Sequence, residues 1–175
     1  MRATVDKNGT IHISDFNPVQ AYKIAIKLEE GGIAFYQGLG RQLKDEGARR
    51  EIDFMIKQEQ DHLKAFRALL LEVKASVDDT FEEDDIVDHL QTHIFDASIE
   101  KEVADRADHR HTTLEEALNM ERRSVVFYQG CLGQTTDAAA RKAFSRIIEE
   151  EKAHQAKFAS LLRAKCIDRS DGCLL

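Results

Sequence analysis

The sequence predicts an all-α fold, a four-helix bundle made of two duplicated helical hairpins that are joined by a long, partly helical crossover. The chain has one proline among 175 residues and few clusters of turn-forming residues, which argues against an all-β fold. Four segments carry apolar or small residues at the three- and four-residue spacing of a bundle seam. In addition, the second half of the chain repeats the first.

The repeat has a constant offset of 92 residues. Segment 25–70 aligns with segment 117–162 without a gap, and 16 of the 46 aligned positions are identical. Each copy contains a glutamate that is followed, thirty residues later, by the pattern Glu-x-x-His. An ungapped match of this length indicates a duplicated structural unit. We therefore predict a single domain over 1–175, with hairpins at about 19–74 and 112–165, a crossover at about 75–111 and a loosely held tail at 166–175.

Local signals predict where some of these elements begin. Asn17 is a suitable N-cap for the first helix, and Pro18 suits its first turn. Thr113 and Glu116 have the spacing of a capping box and predict the start of the third helix. Near the N-terminus of the chain, the dipeptide Asn8-Gly9 predicts the turn of a small β-hairpin.

The crossover is too long for a hairpin turn, which predicts that the two middle helices run parallel. Residues 84–95 within it have helical spacing and predict a short helix. His89 and His93, with Asp85 one turn earlier, could form an accessory metal site, although a solvated polar face explains them better.

Composition and charge exclude several classes of protein. The formal net charge of −7 and the lack of a basic stripe argue against a nucleic-acid partner. No apolar run approaches the length that spans a bilayer, and the first residues lack a secretory core, so we expect a cytoplasmic protein. The cysteines Cys131, Cys166 and Cys173 form no CxxC pair, which predicts free thiols in a reducing compartment.

One layer of the predicted bundle core is polar. Elsewhere the four seams carry apolar or small residues and tyrosines, but this layer carries four glutamates and two histidines: Glu29, Glu59, His62, Glu121, Glu151 and His154. Burying four carboxylates together is unfavourable, because like charges repel at low dielectric and desolvation disfavours the ionised form. Two divalent cations would neutralise them, with neutral imidazoles completing the coordination.

The Glu-x-x-His spacing places both side chains on one helix face, one turn apart. We therefore predict that Glu59 with His62 holds one metal ion and that Glu151 with His154 holds the other. The upstream glutamate of each copy would complete the site as a terminal or bridging ligand. Carboxylate and imidazole ligands suit iron or manganese, and also zinc.

Other residues near this layer have competing interpretations. A single Glu-x-x-His is common on solvated helices, but the duplication and the seam positions disfavour that explanation here. Glu30, Glu149 and Glu150 neighbour the predicted ligands, but the repeat and the seam select other glutamates. Tyr36 and Tyr128 lie two turns beyond the upstream glutamates, where they could hydrogen-bond ligands or carry an electron, with core packing favoured.

This set of six residues resembles the ferritin-like di-iron carboxylate superfamily and is most similar to its rubrerythrin branch. The resemblance covers about residues 19–72 and 112–165. It implies a ferritin-like bundle around a carboxylate-bridged centre of two iron ions, for which manganese or zinc could substitute. Such a centre would react with hydrogen peroxide or dioxygen.

Two features of the sequence differ from that branch. Rubrerythrins carry an additional glutamate one turn after the ligand of the third helix, and this chain has Ser124 there. Without that extra ligand, the two metal positions are expected to be more symmetric than in rubrerythrins. Rubrerythrins also usually carry a rubredoxin-like module with paired CxxC motifs. This chain has no such motif, which implies an external electron donor.

The expected function is that of a di-iron oxidoreductase of peroxidase or ferroxidase type, which oxidises Fe(II) with peroxide or dioxygen. Two alternatives are a non-catalytic protein that binds, buffers or delivers iron, and a structural or regulatory bundle in which a metal such as zinc only supports folding. We also expect a homodimer, because crossover segments in such bundles can pack on a neighbour or exchange with it.

Overall fold

The computed structural model describes residues 1–5, 11–43, 46–74 and 109–167. Its elements, in chain order, are strands β1 (Arg2–Val5) and β2 (Ile11–Ser14) and helices α1 (Pro18–Gln42), α2 (Glu46–Lys74), α3 (His109–Gln134) and α4 (Ala138–Ile167). The predicted all-α four-helix bundle is confirmed. The predicted Asn8-Gly9 turn, the helix at 84–95 with its two histidines, and Cys173 lie outside the described residues.

The helices pack as two hairpins, α1 against α2 and α3 against α4. Across the bundle, α1 contacts α3 and α2 contacts α4. One apolar cluster joins the N-terminal halves of α1 and α4 to the C-terminal halves of α2 and α3, so the two middle helices run parallel, as predicted. Strands β1 and β2 pair antiparallel, with Arg2 opposite Ser14, and β2 contacts α3. No described helix combines the length and the apolar character needed to cross a membrane.

The helix ends follow the sequence signals in part. The backbone N–H of Gln20 donates to Oδ1 of Asn17 at 3.1 Å, so Asn17 caps α1 and Pro18 is its first residue, as predicted. The capping-box prediction was wrong, because α3 begins at His109, four residues before Thr113. No proline or glycine lies between these two positions, so the helix can extend backwards and the backbone donors near Thr113 find partners within it.

Two arginines at equivalent positions of the repeat stabilise the turns of the hairpins. A guanidinium nitrogen of Arg141 on α4 donates to the backbone carbonyls of Leu132 and Thr135, both at 3.0 Å. Its counterpart Arg49 on α2 donates to the carbonyl of Leu43 at 2.6 Å. The last carbonyls of a helix lack partners within that helix, so each arginine joins the start of one helix to the end of the preceding one.

Replacing Arg141 with alanine should therefore lower the free energy of unfolding of the metal-free protein by about 1 kcal/mol. The measurement is urea denaturation followed by circular dichroism. Arg163, which is exposed near the end of α4, provides the control, and Arg163→Ala should change stability much less. Equal losses in the two variants would show that the bonds to the turn contribute nothing of their own.

The core consists of two apolar clusters with a polar layer between them. The first cluster contains the aromatic residues Tyr22, Phe66, Phe127, Tyr128 and Phe144, all at most 1% exposed. The second forms around Tyr36, Leu39, Ile52, Met55, Leu114, Leu118 and Phe158. Each cluster takes residues from one end of all four helices. The buried polar residues between them lie near the middle of the helices.

Candidate metal centre

All six predicted metal ligands are buried in this polar layer. Their exposed fractions are at most 4%, which is low for charged side chains. Helices α1 and α3 each contribute one glutamate, and α2 and α4 each contribute a glutamate and a histidine one turn apart: Glu29; Glu121; Glu59 and His62; Glu151 and His154. The layer forms because each of these residues occupies a seam position that an apolar residue would otherwise fill, and the four seams meet in the bundle core.

Three carboxylates surround the Nδ1 atom of His62. An oxygen of Glu151 lies at 3.2 Å, one of Glu59 at 3.3 Å and one of Glu29 at 3.5 Å. These carboxylates come from α4, α2 and α1, so three helices converge on one ring nitrogen. Oxygen and nitrogen atoms of these four residues lie within 4.8 Å of one another, close enough to hold one metal ion.

A second group surrounds the Nδ1 atom of His154 in nearly the same way. Oxygens of Glu59 and Glu151 each lie at 3.2 Å and an oxygen of Glu121 lies at 3.5 Å. These four residues also place their ligand atoms within 4.8 Å of one another. The two imidazole rings are 6.5 Å apart between centroids, so the groups lie side by side.

The two groups share Glu59 and Glu151. Each of these carboxylates directs one oxygen towards His62 and the other towards His154. Glu29 belongs to the His62 group alone, and Glu121 to the His154 group alone. The sequence predicted one Glu-x-x-His pair for each metal ion and left the upstream glutamates as terminal or bridging. The distances instead favour Glu59 and Glu151, which each face both histidines, as the residues shared between the two metal positions.

The outward-facing Nε2 atom of each histidine also has a partner, which helical periodicity does not predict. Nε2 of His62 lies 2.6 Å from an oxygen of Glu150, and Nε2 of His154 lies 3.1 Å from the amide oxygen of Gln58. Gln58 and Glu150 are separated by the repeat offset, and each directly precedes a shared glutamate. Their shared position in the repeat is a hint in the sequence, but it does not show that a ring nitrogen of the opposite helix lies within reach.

The other two neighbouring carboxylates point away from the centre, as the repeat and the seam indicated. Glu30 pairs with Arg67 at 2.9 Å in an exposed ion pair between α1 and α2. Glu149 pairs with Lys152 at 2.7 Å on the surface of α4. Both are suitable controls for substitutions inside the centre.

The sequence profile of the Rubrerythrin family matches residues 21–162, which include both hairpins and all six buried residues. The chain belongs to the rubrerythrin family. No curated protein and no solved structure matches it. Rubrerythrins bind a di-iron centre, and this member has a buried cluster of carboxylates and histidines that can hold metal ions.

Burial and mutual contacts divide the carboxylates of this rubrerythrin-family chain into two kinds. Burial, together with the neighbouring Glu59 carboxylate, raises the pKa of Glu29 well above its ordinary value. Burial and the neighbouring Glu151 do the same to the pKa of Glu121. For Glu59 and Glu151, burial alone would raise the pKa, but bonds from the neighbouring side chains outweigh it and lower the pKa. The pKa values of the shared glutamates are thus shifted in the opposite direction from those of Glu29 and Glu121.

The histidines respond in the opposite sense. Burial alone would lower their pKa values, but the surrounding carboxylates outweigh it, raising the pKa of His154 to about 12 and that of His62 further. In the metal-free protein, the raised pKa values favour the positively charged form of both imidazoles at neutral pH, with a proton on each ring nitrogen. Each acts as a counter-ion to the shared carboxylates in the place where a metal ion would otherwise supply positive charge.

The residues present fit a dinuclear metal site of the kind that rubrerythrins carry. Within the described residues, the buried Nδ1 atom of His62 has three carboxylate oxygens at 3.2–3.5 Å, but none of them has the geometry of a hydrogen bond. A cation bound among them would satisfy this nitrogen and the carboxylates together. The small residue Gly32 lies beside Glu59, where an added Cβ would be 3.9 Å from the carboxyl carbon.

The two tyrosines beyond the upstream glutamates differ in their contacts. The hydroxyl of Tyr128 donates to Glu29 at 2.5 Å, a role that the sequence allowed but ranked below core packing, and its ring also packs in the first apolar cluster. Tyr36 stacks on Phe158 at 5.7 Å and meets the ring of His154 edge-on at 6.5 Å. Burial and the nearby Glu29 carboxylate raise the pKa of Tyr128, so its hydroxyl keeps its proton.

Replacing Tyr128 with phenylalanine should lower the stability of the metal-free protein by about 1 kcal/mol, because a buried oxygen of Glu29 loses its donor. Urea denaturation measures this change. Tyr36→Phe removes a hydroxyl from the equivalent position of the repeat and should cost less. A larger loss for Tyr36→Phe would contradict the role assigned to Tyr128.

Proposed function

We propose that this protein is a di-iron oxidoreductase that reduces hydrogen peroxide or dioxygen while oxidising Fe(II). One observation carries the proposal: two buried groups of four ligands share two carboxylates, Glu59 and Glu151. These residues would hold two metal ions side by side, and such a pair would supply joint action on one small oxidant. Membership of the rubrerythrin family supports the same function.

Iron suits the proposed reaction better than zinc does, because the reaction needs a metal that changes its oxidation state. Two divalent ions bring four positive charges to the four carboxylates, which leaves the imidazoles neutral. Glu29, Glu59, His62, Glu121, Glu151 and His154 would hold two ferrous ions, which would supply two electrons in total. Two electrons suffice to convert one hydrogen peroxide and two protons to two waters, or one dioxygen and two protons to one hydrogen peroxide. Manganese or zinc would occupy the same ligands as substitutes.

The protein's own residues would position and protect this chemistry. Burial of all six ligands keeps bulk water out of the layer, which strengthens each electrostatic interaction inside it. Tyr128 fixes the orientation of Glu29 through its hydroxyl. Glu150 and Gln58 fix the orientation of the two imidazole rings from outside, so that Nδ1 of each ring faces the shared carboxylates.

The test loads the protein with Fe(II) under anaerobic conditions, measures iron per chain, and adds hydrogen peroxide or dioxygen. We expect about two iron ions per chain, loss of the oxidant and appearance of ferric near-ultraviolet absorption. Protein loaded with Zn(II) is the control and should consume no oxidant. Two bound irons without oxidant loss would favour an iron-buffering or delivery protein, and many irons per chain would favour a store.

We further propose that the protein works as a cytoplasmic homodimer that receives electrons from an external donor. Phe54 and Leu71 on α2 are 61% and 74% exposed, which is high for large apolar side chains and supports a contact with a second copy. Size-exclusion chromatography with light scattering tests the dimer, and a monomer at all concentrations would rule it out. Cell fractionation tests the location.

A further inference from the structure

The two halves of the metal centre are nearly identical in their inner contacts. In each, an Nδ1 atom faces three carboxylate oxygens at 3.2–3.5 Å, and two of the carboxylates are shared. The duplication explains this equivalence, because each inner residue has a counterpart 92 positions away. If only these six buried ligands determined the affinity, two metal ions would bind with similar affinities.

The outer partners of the imidazoles break this symmetry. His62 faces the carboxylate of Glu150 at 2.6 Å, whereas His154 faces the amide of Gln58 at 3.1 Å. Both partners are half-buried and occupy the same position of the repeat. The difference is therefore one of chemistry, a negatively charged acceptor against a neutral one, at otherwise matched positions.

This difference bears directly on metal binding. When Nδ1 donates its lone pair to a cation, Nε2 must carry the remaining ring proton and donate it to an acceptor. A carboxylate makes a shorter and stronger bond with that N–H than an amide does, and it increases the electron density that the ring gives to the metal. It also adds a negative charge near the cation.

The surroundings of the two acceptors strengthen the contrast. The other oxygen of Glu150 lies 3.9 Å from Nε of Arg146, a contact that helps to hold the carboxylate in place from the solvent side. The counterpart of Arg146 in the first copy is Phe54, which is exposed and carries no charge. Gln58 therefore lacks this particular support from the residue one turn before it.

One contact would instead weaken metal binding on the His62 side. Tyr128 donates to Glu29, a ligand of the His62 group, and thereby withdraws some electron density from that carboxylate. Glu29 keeps a second oxygen, 3.5 Å from His62, that this hydroxyl does not engage. The Glu150 contact adds a charge next to a ring nitrogen, so we take it as the larger effect.

We propose that Glu150 is a positioning residue that makes the His62 side of the centre the tighter metal position, so that divalent ions fill this side first. The inference rests on the proposed dinuclear site but not on the oxidation chemistry. Loss of an outer-shell partner of a metal-bound histidine typically lowers metal affinity by about 10- to 100-fold, so we expect the two binding steps to differ by about that factor.

The experiment titrates the full-length protein with Co(II), whose redox-inert binding is followed by calorimetry and by its visible absorption. Wild-type protein should show two steps separated by about 10- to 100-fold. Glu150→Gln should weaken the first step until the two converge. Gln58→Glu should instead strengthen the second step until the two converge.

Two further variants identify the tighter side. The double variant with Gln58→Glu and Glu150→Gln should restore the separation with the order of filling reversed. His154→Ala, which leaves the His62 side intact, should keep the tight step in the wild-type background and lose it in the double variant. Circular dichroism checks that each variant is folded, and Glu150→Asp should recover part of the affinity that Glu150→Gln loses.

The failure of this inference differs from the failure of the proposed site. If wild-type protein binds no Co(II), the dinuclear site itself is wrong. If it binds two ions and neither Glu150→Gln nor Gln58→Glu changes either step, the site stands and the inference is overturned. A tight step that survives His62→Ala but not His154→Ala would also overturn it.

Discussion

The variant Glu59→Gln is expected to lose affinity for both metal ions, each by more than about 100-fold, which is the upper range for losing only an outer partner of a ligand. Glu59 directs one oxygen to each histidine group, so a neutral amide there removes a charged ligand from both positions. Glu29 belongs to one group, and Glu29→Gln should leave about one ion per chain bound.

Metal content after anaerobic loading with Fe(II) and removal of free iron measures this difference. The matched control is Glu30→Gln, because Glu30 neighbours Glu29 in the sequence but forms an exposed pair with Arg67. It should bind the same amount of metal as wild-type protein. If each Glu-x-x-His pair held its own ion, Glu59→Gln would lose one ion only, and that result would contradict the shared arrangement.

Metal affinity is expected to rise steeply with pH, because binding displaces protons from the centre. Both imidazoles are protonated in the metal-free protein, since the surrounding carboxylates raise the pKa of His154 to about 12 and that of His62 further. Glu29 and Glu121, whose pKa values are raised by burial and neighbouring carboxylates, can contribute more protons. Loading two ions should therefore release about two to four protons.

The direction of the pH dependence of metal affinity follows from which state, metal-free or metal-bound, holds more protons. The metal-free centre binds more protons than the loaded one, so lowering the pH favours the metal-free state and raising it favours binding. If two protons leave, the product of the two binding constants should increase about 100-fold for each pH unit between pH 6 and pH 8. Calorimetric titration with Co(II) in buffers of different ionisation enthalpy counts the released protons.

His154→Ala provides the control for this count. It removes one of the two imidazoles that must lose a proton and should reduce the number released by about one. Release of no protons by wild-type protein would show that the imidazoles are neutral before metal binds. In that case the carboxylates would not hold the histidines protonated.

The sequence predicted the bundle and the six buried residues because helical periodicity is local to each helix and the repeat shows the same local pattern twice. The seam of α2 requires that Glu59 and His62 share one face, whatever the other helices do. The repeat then assigns the same geometry to Glu151 and His154. Neither the periodicity nor the repeat depends on how the helices cross.

The missed features of the metal centre depend on how the helices meet. Sharing of Glu59 between two histidines requires a histidine from α4 to approach it, which periodicity in α2 alone does not specify. Gln58 and Glu150 lie at the edge of the seam, and their roles appear only when the opposite helix brings a ring nitrogen within reach. The start of α3 at His109 was missed for a local reason, because no proline or glycine between this residue and Thr113 stops the helix from extending backwards.

The polar layer between the two apolar clusters also determines how the helices align lengthwise. If α4 slid by two turns relative to α2, Phe158 would move to the level of the carboxylates and Glu151 would enter an apolar cluster without a partner. A buried charge left unpaired costs several kcal/mol, about as much as a small domain has to spare. The polar layer thus favours one lengthwise alignment of the four helices. It does so even in the metal-free protein, although the two hairpins are related in sequence and could otherwise pack in several alignments.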